Sequence, residues 1–156
     1  MQNKFLIPPG FKDSLSFDTF VEHQYKNLII NSFREYGFSL IKTPLIEFSS
    51  NLDSNTLSLK SKIKDPKLSI RNDITPQIIR VARSRLSKKI RPLKLCYYGE
   101  VVRKKGTILR PERQFQQVGA EIIGAQSYKA DVEIINLAYQ TLKNIGIKNI
   151  VIEISA

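Results

Sequence analysis

Apolar positions along the chain fall into three helical stripes separated by shorter alternating runs. Between residues 16 and 36, Phe17, Val21, Tyr25, Leu28, Ile29, Phe33 and Tyr36 recur every three or four positions, which predicts one long helix. Ser16 is its expected N-cap, Asp18 sits in its first turn, and Gly37 marks its end. Residues 38–46 read as a strand carrying Pro44. Proline has no N–H for a ladder, so that strand is expected at an edge, at a bulge or at a subunit contact. Ser and Asn dominate residues 49–56, a predicted loop. Residues 57–63 and 68–71 alternate as two short strands, joined by a turn at Lys64-Asp65-Pro66-Lys67. Thr75 followed by Pro76 predicts a helix start with a hydroxyl cap. In that helix Ile79, Ala82 and Leu86 are expected to face inward, and Arg80, Arg83 and Arg85 outward. A third helix is predicted over 128–145, with Ile135, Ala138, Leu142 and Ile145 as its stripe and Gly146 closing it. Residues 149–155 read as a final strand.

The central stretch is residues 95–124, LCYYGEVVRKKGTILRPERQFQQVGAEIIG. Two strand-like runs flank a basic loop, which predicts an antiparallel hairpin. Side chains on a strand alternate sides. Arg113, Phe115, Gln117, Gly119 and Glu121 therefore share one face, and Gln114, Gln116, Val118, Ala120 and Ile122 the other. A file of Arg, Gln and Glu suits a ligand pocket: an acid for a cation, an amide for hydrogen bonds, and glycine for room. It also suits a half-exposed strand with a polar outer face, and alternation alone leaves both readings open.

Helices segregated from mostly antiparallel strands indicate the α+β class. With 156 residues the chain fits a single domain, 1–156. The net charge of +11 admits a polyanionic partner, or a lysine-rich solvated surface, and the lysines are scattered rather than gathered on one helix face. Cys96 is the only cysteine, which rules out an internal disulfide and a Cys-based zinc site, and it reads as a small core residue. His23, the only histidine, lies off the first stripe and is expected at the surface, so no His-based metal site is expected. No apolar run approaches the length needed to span a bilayer, and the N-terminus lacks a signal-peptide core, so the cytoplasm is the expected compartment.

The segments IRNDITPQIIRVA, LCYYGEVVRKKGTILRPERQFQQVGAEIIG and ADVEII together resemble the catalytic core of class II histidyl-tRNA synthetases. They resemble still more closely the non-catalytic paralogue of those enzymes, the regulatory subunits of ATP phosphoribosyltransferase. The opening IPPGFKDSL is similar to the start of the same core. The helix ending at Tyr36-Gly37, with the strand containing Pro44, resembles motif 1, which builds a dimer interface; the hairpin resembles motif 2. The resemblance implies an antiparallel sheet flanked by helices. It also implies an incomplete C-terminus lacking the motif 3 region, because such relatives continue well beyond this length.

Position by position, the resemblance implies that Asp73 and Thr75 hold the ammonium of a bound histidine, and that Gln117 and Glu121 also hold the amino acid. Arg103 and Arg113 match arginines of a nucleotide site and would be either remnants of phosphate binding or solubilising charges. Lys105 reverses the charge of an acid that helps hold ATP in synthetases, and Ile74 replaces a glycine, which is expected to crowd the ligand side. The implied function is therefore a non-catalytic regulatory subunit that binds histidine as effector and a separate short-form catalytic subunit. That partner joins ATP to phosphoribosyl pyrophosphate in the first step of histidine biosynthesis. A homodimer or hetero-oligomer is implied, with no cofactor, no metal, no membrane and no nucleic-acid partner. Two other classes stay open: a derivative of histidine–tRNA ligase, and a basic RNA-binding module.

Overall fold

The protein was analysed as a computed structural model that describes residues 6–60 and 67–154. The chain forms α1 (Ser16–Glu35), β1 (Ser39–Leu40), β2 (Ile46–Phe48), a 3-10 turn at Ser49–Asn51, β3 (Leu57–Ser58) and β4 (Leu68–Ile70). It continues as α2 (Thr75–Arg83), β5 (Leu93–Val102), β6 (Gln114–Ile123) and α3 (Tyr128–Asn144). The predicted hairpin is the largest element: β5 and β6 pair antiparallel without a break from Leu93 opposite Ile123 to Val102 opposite Gln114. β1 joins the other edge of β5 in parallel, giving the order β1-β5-β6. A second, antiparallel sheet has the order β2-β4-β3.

Alternation along the hairpin divides the core in two. On one face Cys96, Val118, Ala120 and Ile122 pack against Ile30 and Phe33 of α1 and Leu137 of α3. On the other, Leu95, Tyr97, Val101 and Phe115 pack against Ile74 and Ile78 at α2. Ser32 and Thr141 meet across the helix–helix contact at 3.2 Å, so the two buried hydroxyls satisfy each other. Burial pushes the Cys96 thiol above its ordinary value, against the nearby charge of Arg34, as expected for an inert core cysteine. His23 is exposed, as predicted.

Several elements differ from the sequence expectation. Residues 38–46 are not one strand. The chain leaves the first sheet after Leu40 and enters the second at Ile46. Pro44 lies in this break, and its carbonyl is taken by side chains instead of a ladder: Gln77 Nε2 donates at 2.9 Å and Arg71 Nη1 at 3.3 Å. Of the run 57–63 the described part is 57–60, in which Leu57–Ser58 forms the strand; residues 61–63, and 64–66 of the expected turn, lie outside the described residues. Residues 149–154 form no strand, and Val151 and Ile154 are exposed. Ser16 does not cap α1. The cap position is Leu15, and Thr19 Oγ1 donates to the Ser14 carbonyl at 3.1 Å instead.

The stripes are rotated or shortened. Only the C-terminal turns of α1 reach the sheet, through Ile29, Ile30, Phe33 and Tyr36, so Phe17, Tyr25 and Leu28 remain exposed. In α2 the inward residue is Ile78 rather than Ile79, and in α3 Ile134 and Leu137 point inward while Ala138 is exposed. The cause is the same in both helices. A polar residue on the buried face, Gln77 or Thr141, conceals where the core contact is centred.

Gln77 belongs to a buried network around Arg71, which is 5% exposed. Arg71 Nε donates to the Glu100 carbonyl at 2.8 Å, and Nη1 donates to the Thr43 carbonyl and hydroxyl at 3.0 and 2.9 Å. Thr43 Oγ1 in turn donates to Gln77 Oε1 at 2.7 Å. Gly99 of β5 lies against this guanidinium, and a Cβ there would strike Arg71 Nη2. Burial lowers the Arg71 pKa from its ordinary value, and the Glu100 carboxylate opposes that shift. Beside the network, Glu47 accepts from Arg80 at 2.9 Å, from the Phe48 N–H and from the Asn51 and Gln77 amides. Burial alone would raise the Glu47 carboxyl, but the Phe48 and Asn51 hydrogen bonds, the Arg80 charge and Gln77 together hold it below its ordinary value.

Arg71→Met should destabilise the fold by about 3 kcal/mol or more, because it strands buried carbonyls, and chemical denaturation would measure this. For Glu47 the folded pKa is depressed, so its contribution is present above the unfolded carboxylate pKa and lost as pH falls through the folded one. The stability gap between the parent and Glu47→Gln should accordingly be widest near neutrality and close in acid, as read by denaturation at a series of pH values.

Candidate functional site

Four sequence-predicted residues meet where the entry to α2 crosses β6. Asp73 Oδ1 accepts from the Thr75 N–H at 3.1 Å, a local side-chain turn that fixes the start of the helix. Gln117 on β6 reads this turn with both ends of its amide. Its Nε2 donates to Asp73 Oδ1 at 2.7 Å, and its Oε1 accepts from the Ile74 N–H at 3.0 Å. Two residues further along the same face stands Gly119, and two beyond it Glu121. Thr75 Oγ1 donates to Glu121 Oε1 at 3.0 Å. The Thr75 hydroxyl therefore does not cap the helix as expected; it is turned onto the strand.

A fifth residue completes the cluster and was not singled out from sequence. The Tyr97 hydroxyl lies 2.9 Å from Thr75 Oγ1 and 3.3 Å from Glu121 Oε1. With one hydrogen on each hydroxyl, the shorter contacts run as a chain from Tyr97 to Thr75 to Glu121. Burial pushes the Tyr97 phenol up to about 12; the Thr75 contact works against this, and the charges of Glu121 and Asp73 add to it. Tyr97 lies directly opposite Gly119 in the register, and a Cβ on Gly119 would run into the tyrosine ring and hydroxyl. The room that glycine provides is occupied by this ring. Counting back along the hairpin from Gly119 to its partner was the signal that could have found Tyr97.

Each carboxylate uses one oxygen within the cluster. Neither Asp73 Oδ2 nor Glu121 Oε2 has a partner among the described residues, so both remain as acceptors for a cationic or N–H-bearing ligand. Ile74 does not crowd this side, contrary to expectation. Its side chain is 1% exposed and lies in the core with Ile78 and Leu95, and only its backbone N–H faces the cluster.

Arg103 and Arg113 are not brought into the carboxylate cluster. The Arg103 guanidinium lies 4.8 Å from the centroid of the Phe115 ring, and that of Arg110 lies 4.3 Å from it. Arg113 anchors the N-terminal arm. Its N–H donates to the Gly10 carbonyl at 2.8 Å, Nη1 donates to the Pro9 carbonyl at 3.3 Å, and the guanidinium sits over Phe11 at 4.9 Å. Gly10, at φ +82°, has no space for a Cβ against the Arg113 stem. Among the described residues no group of three or more His, Cys, Asp or Glu side chains is placed to hold a metal ion. No helix among them is long and apolar enough to cross a membrane.

The model of the family described as "Histidyl-tRNA synthetase" matches residues 10–156. The chain belongs to the histidyl-tRNA synthetase family. Within that family it is similar to proteins named ATP phosphoribosyltransferase regulatory subunit. One, from Paramagnetospirillum magneticum, is 37% identical over 156 residues, covering 95% of this chain and 41% of the relative. Another, from Rhodospirillum centenum, is 38% identical over 158 residues, covering 96% and 41%. The chain thus spans about 41% of the length of these curated relatives. Among solved structures, an ATP phosphoribosyltransferase regulatory subunit/histidyl-tRNA synthetase from Bacillus halodurans superposes with a TM-score of 0.84 at 27% identity, covering 94% of this chain and 39% of that one. The apo histidyl-tRNA synthetase of S. aureus superposes at 0.79 with 25% identity, covering 92% and 35%. These likenesses carry the α+β, class II synthetase-like architecture expected from sequence.

Tyr97 supplies a test of the cluster that is independent of any ligand. Its folded pKa is raised, so its contribution to stability is intact below the unfolded value near 10 and lost as pH rises toward about 12. Spectrophotometric titration should find a tyrosine transition delayed to about pH 12. Tyr97→Phe should abolish that late transition.

Proposed function

We propose that the chain acts as, or within, a non-catalytic regulatory subunit of ATP phosphoribosyltransferase, and that it senses free histidine at the cluster of Asp73, Thr75, Gln117 and Glu121. The observation that carries this reading is the joining of those four side chains into one hydrogen-bonded group with an acceptor left over on each acid. Free histidine offers an ammonium and an imidazole N–H, and carboxylate oxygens are the acceptors such groups require. Gln117 fixes the geometry because one amide ties the turn before α2 to the strand. The similarity of the chain to proteins named regulatory subunits over 95% of its length supports the same reading.

Adenylation is not part of this function. Lys105 stands, exposed, where the resemblance calls for an acid that assists ATP. The chain would instead pair with a short catalytic subunit, and bound histidine would favour a less active state of that complex. Such coupling is typically worth about 1–3 kcal/mol. The enclosing complex, a dimer built through α1 and the break at Pro44, and a cytoplasmic setting belong to the same proposal.

Calorimetric titration with free histidine tests the sensing role. Asp73→Asn and Glu121→Gln should each weaken binding by about 10- to 100-fold, the worth of one charge-assisted hydrogen bond. Histidine-dependent pyrophosphate exchange should be absent. Tight ATP uptake with no heat from histidine would refute the proposal, and histidine-dependent pyrophosphate exchange would favour a ligase derivative.

A further inference from the structure

The hairpin connection breaks the usual chemistry of a tight turn. Thr107 and Arg110 close it reciprocally: Thr107 N–H donates to the Arg110 carbonyl at 2.8 Å, and Arg110 N–H donates back to the Thr107 carbonyl at 3.2 Å and hydroxyl at 3.0 Å. The two residues at the apex are Ile108 and Leu109. Turn centres favour Gly, Asn, Asp or Pro, because those residues suit the backbone there and are content in water. Here two aliphatic side chains stand fully exposed, at 102% and 97%. The chain closes tightly beneath the apex. Gly106 is pressed onto Pro111 so closely that a Cβ would collide with the Pro111 carbonyl. Lys104, Lys105 and Arg110 are exposed beside the tip, against the single carboxylate of Glu112.

We propose that this tip is a docking knob for an acidic protein surface, with Ile108 and Leu109 entering an apolar pocket and the flanking cations meeting its anionic rim. The inference rests on the regulatory reading above and gives that reading a point of contact. A local rule broken with no compensating contact among the described residues is the mark of a site that works outward. The aliphatic apex favours protein over nucleic acid, since single-stranded bases stack on aromatic planes and neither apex residue has one. Phe115, the ring nearest the loop, already carries the Arg103 and Arg110 guanidinium groups. The tip is also wired to the candidate site, because β6 runs without interruption from Gln114 past Gln117 and Glu121.

The test uses the full chain and the short catalytic phosphoribosyltransferase subunit of the same organism as probe. Association and dissociation rates are followed at low and high salt. The double variant Ile108→Ser/Leu109→Ser should dissociate about tenfold faster or more while its histidine titration is unchanged. Lys104→Glu/Lys105→Glu should slow association and flatten its salt dependence. If the parent associates and both variants behave like it, the knob is overturned and the regulatory reading stands. If the parent does not associate at all, the regulatory reading fails and this inference fails with it. If the apex variant instead loses only its binding to tRNA or to anionic vesicles, the partner is not a protein and the proposal is overturned.

Discussion

A single buried guanidinium holds the architecture together. Arg71 leaves β4 and spans the gap between the two sheets, taking the Glu100 carbonyl on β5 and the Thr43 and Pro44 carbonyls in the break between β1 and β2. Those carbonyls have no ladder to join, so the cation is the group that makes their burial tolerable. Arg71 is also the last step before Asn72 and Asp73. Asn72 Nδ2 donates to Asp53 Oδ1 at 2.5 Å, which fixes the same turn from the loop side. The position of Asp73 and Thr75 over β6 is thus set by contacts that are themselves remote from any ligand.

What the sequence made legible was the part governed by short-range periodicity. The hairpin, its two faces and the grouping of Gln117 with Glu121 all follow from a period of two, and the long strands leave little freedom in that count. Helix existence was equally plain. The inward faces were harder, since Gln77 and Thr141 are polar yet buried, and Phe17 and Tyr25 are apolar yet exposed. Residues 38–46 look like one strand because nothing local records that two sheets share them.

Arg71 and Tyr97 escaped notice for a common reason. Both fall within segments that carry the resemblance, but neither receives a role from it, and their partners lie far along the chain: Thr43 and Glu100 for the arginine, Glu121 for the tyrosine. Both are recognised only when opposite strands are laid side by side. Gly99 and Gly119 are their traces in the sequence, each lacking a side chain where a larger neighbour crosses. Only Gly119 faces its bulky neighbour in the antiparallel register; Gly99 makes room for a side chain that arrives from the other sheet.

The interleaving of the two faces of β6 has a bearing on how the protein can err. Val118, Ala120 and Ile122 wedge under the helices, while Gln117 and Glu121 alternate with them toward α2. A slip of one residue in the pairing would drive an acid and an amide under α1 and α3 and set three aliphatic groups in place of the polar row that meets the entry to α2. Mispairing of the hairpin and disruption of the Gln117–Glu121 row are consequently one event rather than two. A molecule that survives folding therefore carries the row of Gln117 and Glu121 already aligned.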